Sequence, residues 1–98
     1  MTDTEINKAL ALAIGYRPDQ IIASSKGTLV DHQNWWHVFD YKQPRTIWPI
    51  AERYDSFPWR ALCAETMWTV SSLPKQPPVR DASAAKAVAL AVIARGVA

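Results

Sequence analysis

The chain has 98 residues, of which 49% are hydrophobic and 20% charged, with a net charge of +2. That length suits one domain around one core, and the apolar share is too high for a disordered chain. Nine acidic residues scattered among eleven basic ones form none of the basic clusters that neutralise nucleic-acid phosphates. The start, MTDTEINK, lacks the basic and apolar regions of a signal peptide, and no run approaches the roughly 20 apolar residues that span a bilayer. The single cysteine, Cys63, cannot close an internal disulfide, so a reducing, cytoplasmic setting is expected.

Thr2 and Glu5 have the T-x-x-E spacing of a capping box, which predicts a helix beginning there. Ile6, Ala9, Leu10, Ala13 and Ile14 continue it at three- and four-residue intervals, and Gly15 can take the left-handed conformation that closes it. From Pro18 to Asn34 the pattern weakens. Gln20 to Ala23 fits a short strand or a turn of helix, Ser24 to Thr28 reads as a loop, and the segment is expected to be mostly irregular.

Trp35 to Tyr41 is the strongest strand candidate, with Trp35, His37, Phe39 and Tyr41 on its more apolar face and Trp36, Val38 and Asp40 on the other. Lys42 to Arg45 should turn the chain. Pro49 suits the first position of a short helix that turns Ile50, Ala51 and Tyr54 inward and Glu52 and Arg53 outward, ending at Asp55 to Pro58. Ala61 to Ala64 fits no single element, and Met67 to Ser71 alternates as a half-buried strand with Trp68 and Val70 on one side. Pro74, Pro77 and Pro78 make Leu73 to Arg80 a stiff, extended linker. Asp81 or Ser83 then caps a closing helix with Ala85, Val88, Ala89, Val92 and Ile93 inward and Gly96 at its end. The expected fold is α+β over residues 1–98: a small helix-sheet-helix sandwich with a two- to three-stranded antiparallel sheet, alanine-rich N- and C-terminal helices and a short middle helix.

Catalytic signals are weak. His32 and His37 with Asp31 and Asp40 suggest a metal or a general base, but a strand sends His37 and Asp40 to opposite faces, His32 falls in an expected polar loop, and no zinc spacing is present. Ser24-Ser25-Lys26-Gly27-Thr28 lacks the first glycine and the Gly-Lys order of a phosphate loop, and no nucleophile motif accompanies any Ser, His and Asp. The reading is a non-enzyme without a catalytic residue, metal or cofactor.

Eight of the ten aromatic residues lie between Trp35 and Trp59, interleaved with cations. Trp35, Phe39, Tyr54 and Trp68 are expected in the core. Trp36, Lys42, Arg45, Trp48, Trp59 and Arg60 form the candidate surface, because tryptophan and arginine dominate protein interfaces and also stack on unpaired bases. A protein partner is the leading expectation. Nucleic-acid binding through Trp36, Trp48 or Trp59 with Lys42, Arg45 and Arg60 is the alternative, and self-association through an open sheet edge is a third.

The run Trp36 to Tyr41, then Pro49-Ile50-Ala51-Glu52-Arg53-Tyr54 with Phe57-Pro58, and the closing Lys86-Ala87-Val88-Ala89-Leu90-Ala91-Val92-Ile93 resemble the phage ABA sandwich domain family. The resemblance covers nearly the whole chain, though the Lys26 to Asn34 segment and the proline-rich stretch depart from it. It implies a phage or prophage origin, a layered helix-sheet-helix fold and residence in the cytoplasm of a bacterial host. No activity is carried over. Small phage proteins of this size often act by binding and blocking a host factor, so the resemblance implies a host protein, an anti-phage defence component among the candidates, as partner.

Overall fold

A computed structural model of the protein describes residues 2–25, 27–58, 67–70 and 78–96. The first helix, α1 (Asp3–Ala13), opens on the expected capping box: Thr2 Oγ1 accepts from the Glu5 amide at 3.2 Å, and the Thr2 amide donates to Glu5 Oε1 at 3.1 Å. It closes at Gly15, whose φ of 113° lets the Gly15 amide reach the Leu12 carbonyl and the Tyr16 amide reach the Ala11 carbonyl.

A 3₁₀ turn (Pro18–Gln20) leads into β1 (Ile21–Ser24), β2 (Gly27–His32) and β3 (Trp35–Val38), an antiparallel sheet in that order. The segment from Pro18 to Asn34, expected to be mostly irregular, therefore carries two of three strands, and His32 ends a strand instead of sitting in a loop. Gln33 and Asn34 supply the reason, since both are left-handed (φ of 54° and 67°) and make the two-residue turn that matches the twist of a hairpin.

The second helix, α2 (Pro44–Arg53), starts at Pro44 instead of Pro49. Pro44 takes the first-turn position where a missing amide is harmless, and Pro49 lies within the helix, leaving the Arg45 carbonyl without its usual donor. Its end repeats the α1 closure with Asp55 (φ 50°) in place of glycine: the Asp55 amide reaches the Glu52 carbonyl and the Ser56 amide the Ala51 carbonyl.

The short strands β4 (Trp68–Val70) and β5 (Val79–Asp81) pair antiparallel, so the C-terminal part of the expected linker is a strand. The last helix, α3 (Ala84–Gly96), is capped by Ser83, whose Oγ accepts from the Lys86 amide at 3.3 Å. The protein is thus a small α+β domain of three helices, a three-stranded antiparallel sheet and a two-stranded one.

Helix α3 packs against α1, α2, β4 and β5. Its Ala87, Val88, Ala91 and Val92 meet Ile6 and Leu10 of α1, Ile47, Ile50 and Ala51 of α2, Val70 of β4, and Val30 and Phe39 in one core cluster. Small side chains on α3 and at Ala11 let these elements approach closely. Arg95 fixes the far end, its guanidinium donating to the Tyr54 carbonyl and to Ser56 Oγ, where the C-terminal dipole of α2 favours a cation. No helix among the described residues is long and apolar enough to cross a membrane.

Candidate functional site

Register decides which β3 side chains are available. Val30 pairs with His37 and Leu29 with Val38, so Thr28, Val30, His37 and Phe39 share one face of the sheet, and Leu29, Asp31, Trp36 and Val38 the other. The first face is the inner one, with Thr28, Val30 and Phe39 buried. On the outer face Ile22, Leu29 and Val38 lie in a row across the three strands, with Trp36 beside them opposite Asp31. Trp36 is 46% exposed, Val38 57% and Ile22 45%: an apolar sheet face left open.

Trp35 was expected in the core and is instead 73% exposed. It shares the inner face with Phe39, but it flanks the hairpin turn, where that face runs past the core and where His32 and His37 are exposed as well. Of the other expected core aromatics, Phe39 is buried, whereas Tyr54 and Trp68 are half-buried against the cluster.

Among the described residues strand β3 is also an edge. The Phe39 amide donates to the Thr28 carbonyl at 2.8 Å, which makes Thr28 and Phe39 a hydrogen-bonded pair. Because such pairs alternate, His37 bonds across to Val30, and the amides and carbonyls of Trp36 and Val38 point away from the sheet. Beside this edge runs a groove of about 500 Å³ lined by Trp36, His37, Val38, Arg45 and Thr46. Three consecutive β3 residues line it, so it follows the strand's edge and not one face. Arg45, in the first turn of α2, makes no ion pair among the described residues. Trp48 follows one helical turn later on the same side and is 39% exposed.

The structure therefore brings Trp36 and Arg45 together, with Trp48 near them on α2. Lys42 stands apart, its ammonium paired with Asp3 Oδ2. Asp3 Oδ1 accepts from the Tyr41 hydroxyl at 2.7 Å, and the buried Asn7 Oδ1 accepts from the Tyr41 amide at 2.8 Å. The Lys42 ammonium and then the Tyr41 hydroxyl hold the Asp3 carboxyl below its ordinary range, and Asp3 in turn raises the Lys42 ammonium. Burial, then the bond to Asp3, pushes the Tyr41 phenol up. This cluster fastens α1 to the segment after β3 and borders a second hollow, of about 180 Å³, shared with Thr28, Val38 and Asp40. Trp59 and Arg60 lie outside the described residues, as does Cys63.

The His32 and His37 rings meet edge to face with centroids 6.2 Å apart, and His32 contacts Tyr16 in the same way. Among the described residues no three His, Cys, Asp or Glu side chains converge as metal ligands would. The sequence reading placed Val38 on the same strand face as Trp36 but did not name it a site residue, and it missed Ile22, whose segment Gln20 to Ala23 fitted a short strand or a turn of helix equally well.

Comparison with known proteins finds no family model that matches the chain, and no match among curated proteins or solved structures.

Proposed function

We propose that the protein works without catalysis, by binding a protein partner over the surface that Trp36, Val38 and Ile22 of the open sheet face form with Arg45 and Trp48 of α2. One observation carries this reading: large apolar side chains stand exposed beside a cation that no described acid pairs, on the flank of a groove. Isolated exposed apolar residues are ordinary, but a contiguous apolar patch with polar surroundings is a common mark of an interaction site. Buried tryptophan and arginine are the side chains that contribute most when such a patch is covered.

The resemblance to phage ABA sandwich domains supplies a setting for this reading. A phage accessory protein in a bacterial cell would meet host proteins, those of anti-phage defence among them. The surface supports binding, and the setting proposes the partner class.

Immobilised wild-type protein is expected to retain a host protein from bacterial lysate, and Trp36→Ala combined with Arg45→Glu to lose it. Equal recovery by wild type and variant, or none above background, sinks the reading. Nucleic-acid binding predicts instead a labelled single strand held at low ionic strength and released steeply by salt.

A further inference from the structure

We infer that two copies of this chain pair through the free edges of their β3 strands, joining the two three-stranded sheets into one of six. An open edge is a template for another strand, and natural proteins blunt such edges with lysine, proline, a bulge or a covering element. Strand β3, with the sequence Trp-Trp-His-Val, carries no lysine or proline, and every one of its residues is exposed.

The edge is complementary to itself. Its outward amides and carbonyls belong to Trp36 and Val38, two residues apart, so an antiparallel copy related by a two-fold axis at His37 sets Trp36 against the partner's Val38 and Val38 against the partner's Trp36. Both pairs are then hydrogen-bonded, and on the open face each joins an aromatic to a β-branched side chain, a favoured cross-strand combination. Each row of Ile22, Leu29 and Val38 then continues across the junction onto the partner's Trp36. The groove separates the β3 edge from Arg45 and Thr46 of α2, and it is there that an added strand would enter.

Charge favours the same occupant. Asp31, across from Trp36, and Arg45, beside Trp36 in the groove, make no ion pair among the described residues. An isologous interface repeats one patch on both sides, and Asp31, which shares a hollow with Arg53, and Arg45 give this patch both signs of charge, so it can complement its own copy. A polyanion would meet Asp31 unfavourably, and an acidic segment would answer Arg45 alone. Two partly exposed tryptophans and a valine per copy fall short of the ~1,200 Å² of a standard interface, so the pair should be weak and reversible.

Pairing goes beyond the partner-binding reading and does not depend on it. Sedimentation equilibrium of the full chain should show molar mass rising from monomer toward dimer as concentration increases. Val38→Lys and Val38→Pro should stay monomeric with unchanged circular dichroism, because the Val38 amide serves no bond within the sheet. The register has its own test: in a Cys63→Ser background, His37→Cys should give an interchain disulfide on mild oxidation, since non-hydrogen-bonded partners sit about 4.5 Å apart at Cα. Lys8→Cys, on the exposed side of α1, should not.

A wild type that remains monomeric at every concentration overturns the pairing, as does a dimer undiminished in both Val38 variants. A monomer that still captures a host protein in a Trp36-dependent way removes the pairing and leaves the binding reading. A dimer that captures nothing supports the pairing and removes the host partner.

Discussion

Asp55 and Thr28 each hold a conformation or environment that their own chemistry disfavours. Asp55 closes α2 with a left-handed backbone that costs a side-chain-bearing residue roughly 1 kcal/mol and glycine almost nothing, and its carboxylate makes no ion pair among the described residues. Asp55→Gly should therefore raise the unfolding free energy by about 0.5–1 kcal/mol in urea titrations, where a glycine at an ordinary position lowers it. Thr28 is buried on the inner face of β2, and its hydroxyl has no hydrogen-bond partner among the described residues. Thr28→Val keeps the shape and removes the unsatisfied group, so the same titration should show stability unchanged or raised by up to about 1 kcal/mol; a loss would mean that the hydroxyl has a partner. Neither anomaly shows in the sequence. Asp55 sits in an ordinary helix-ending run, and burial of Thr28 depends on a strand that the sequence pattern does not reveal.

Elements were legible where their ends carry chemistry. Helix α1 follows from Thr2, Glu5 and Gly15, and α3 from Ser83 and its alternating small apolar residues. The β2–β3 hairpin was not legible, because Gln33-Asn34 closes it without the glycine that usually marks such a turn, and Asp31 and His32 dilute the strand's apolar character. The start of α2 was misplaced because Pro44 and Pro49 suit a first turn equally well in sequence, and packing of Ile47 selects the earlier one.

Between elements, the contact of Asp3 with Lys42 and Tyr41 has a pH signature. Asp3 is held below its ordinary value near 3.8, so its contribution is present above that value and fades as pH falls through the folded-state value. Melting temperatures of wild type and Asp3→Asn should differ at neutral pH, with the variant lower, and converge as pH falls through and below the lowered value of Asp3. A constant gap across that range would show that the carboxylate charge is not what joins α1 to the loop.

For the whole molecule, register divides the aromatic run into an inward and an outward part. Phe39 and Tyr41 turn into the core, while Trp36 and Val38 face outward from an edge strand. The sequence identified Trp36, Arg45 and Trp48 as surface candidates from composition alone. It misassigned Trp35 because alternation tells which face a residue shares, and not how far along the strand the covering helix extends. Lys42 looked like another surface cation, but its partner Asp3 is far away in sequence. The proposals meet at one surface, that of β3 and α2, which would contact another protein chain. The most direct measurement places a photo-crosslinking amino acid at position 36 in bacterial cells, with position 8 on α1 as the exposed control. The account predicts a discrete crosslinked species from position 36, to a host protein or to a second copy, and none from position 8. Silence at position 36, or the same products from both positions, would contradict it.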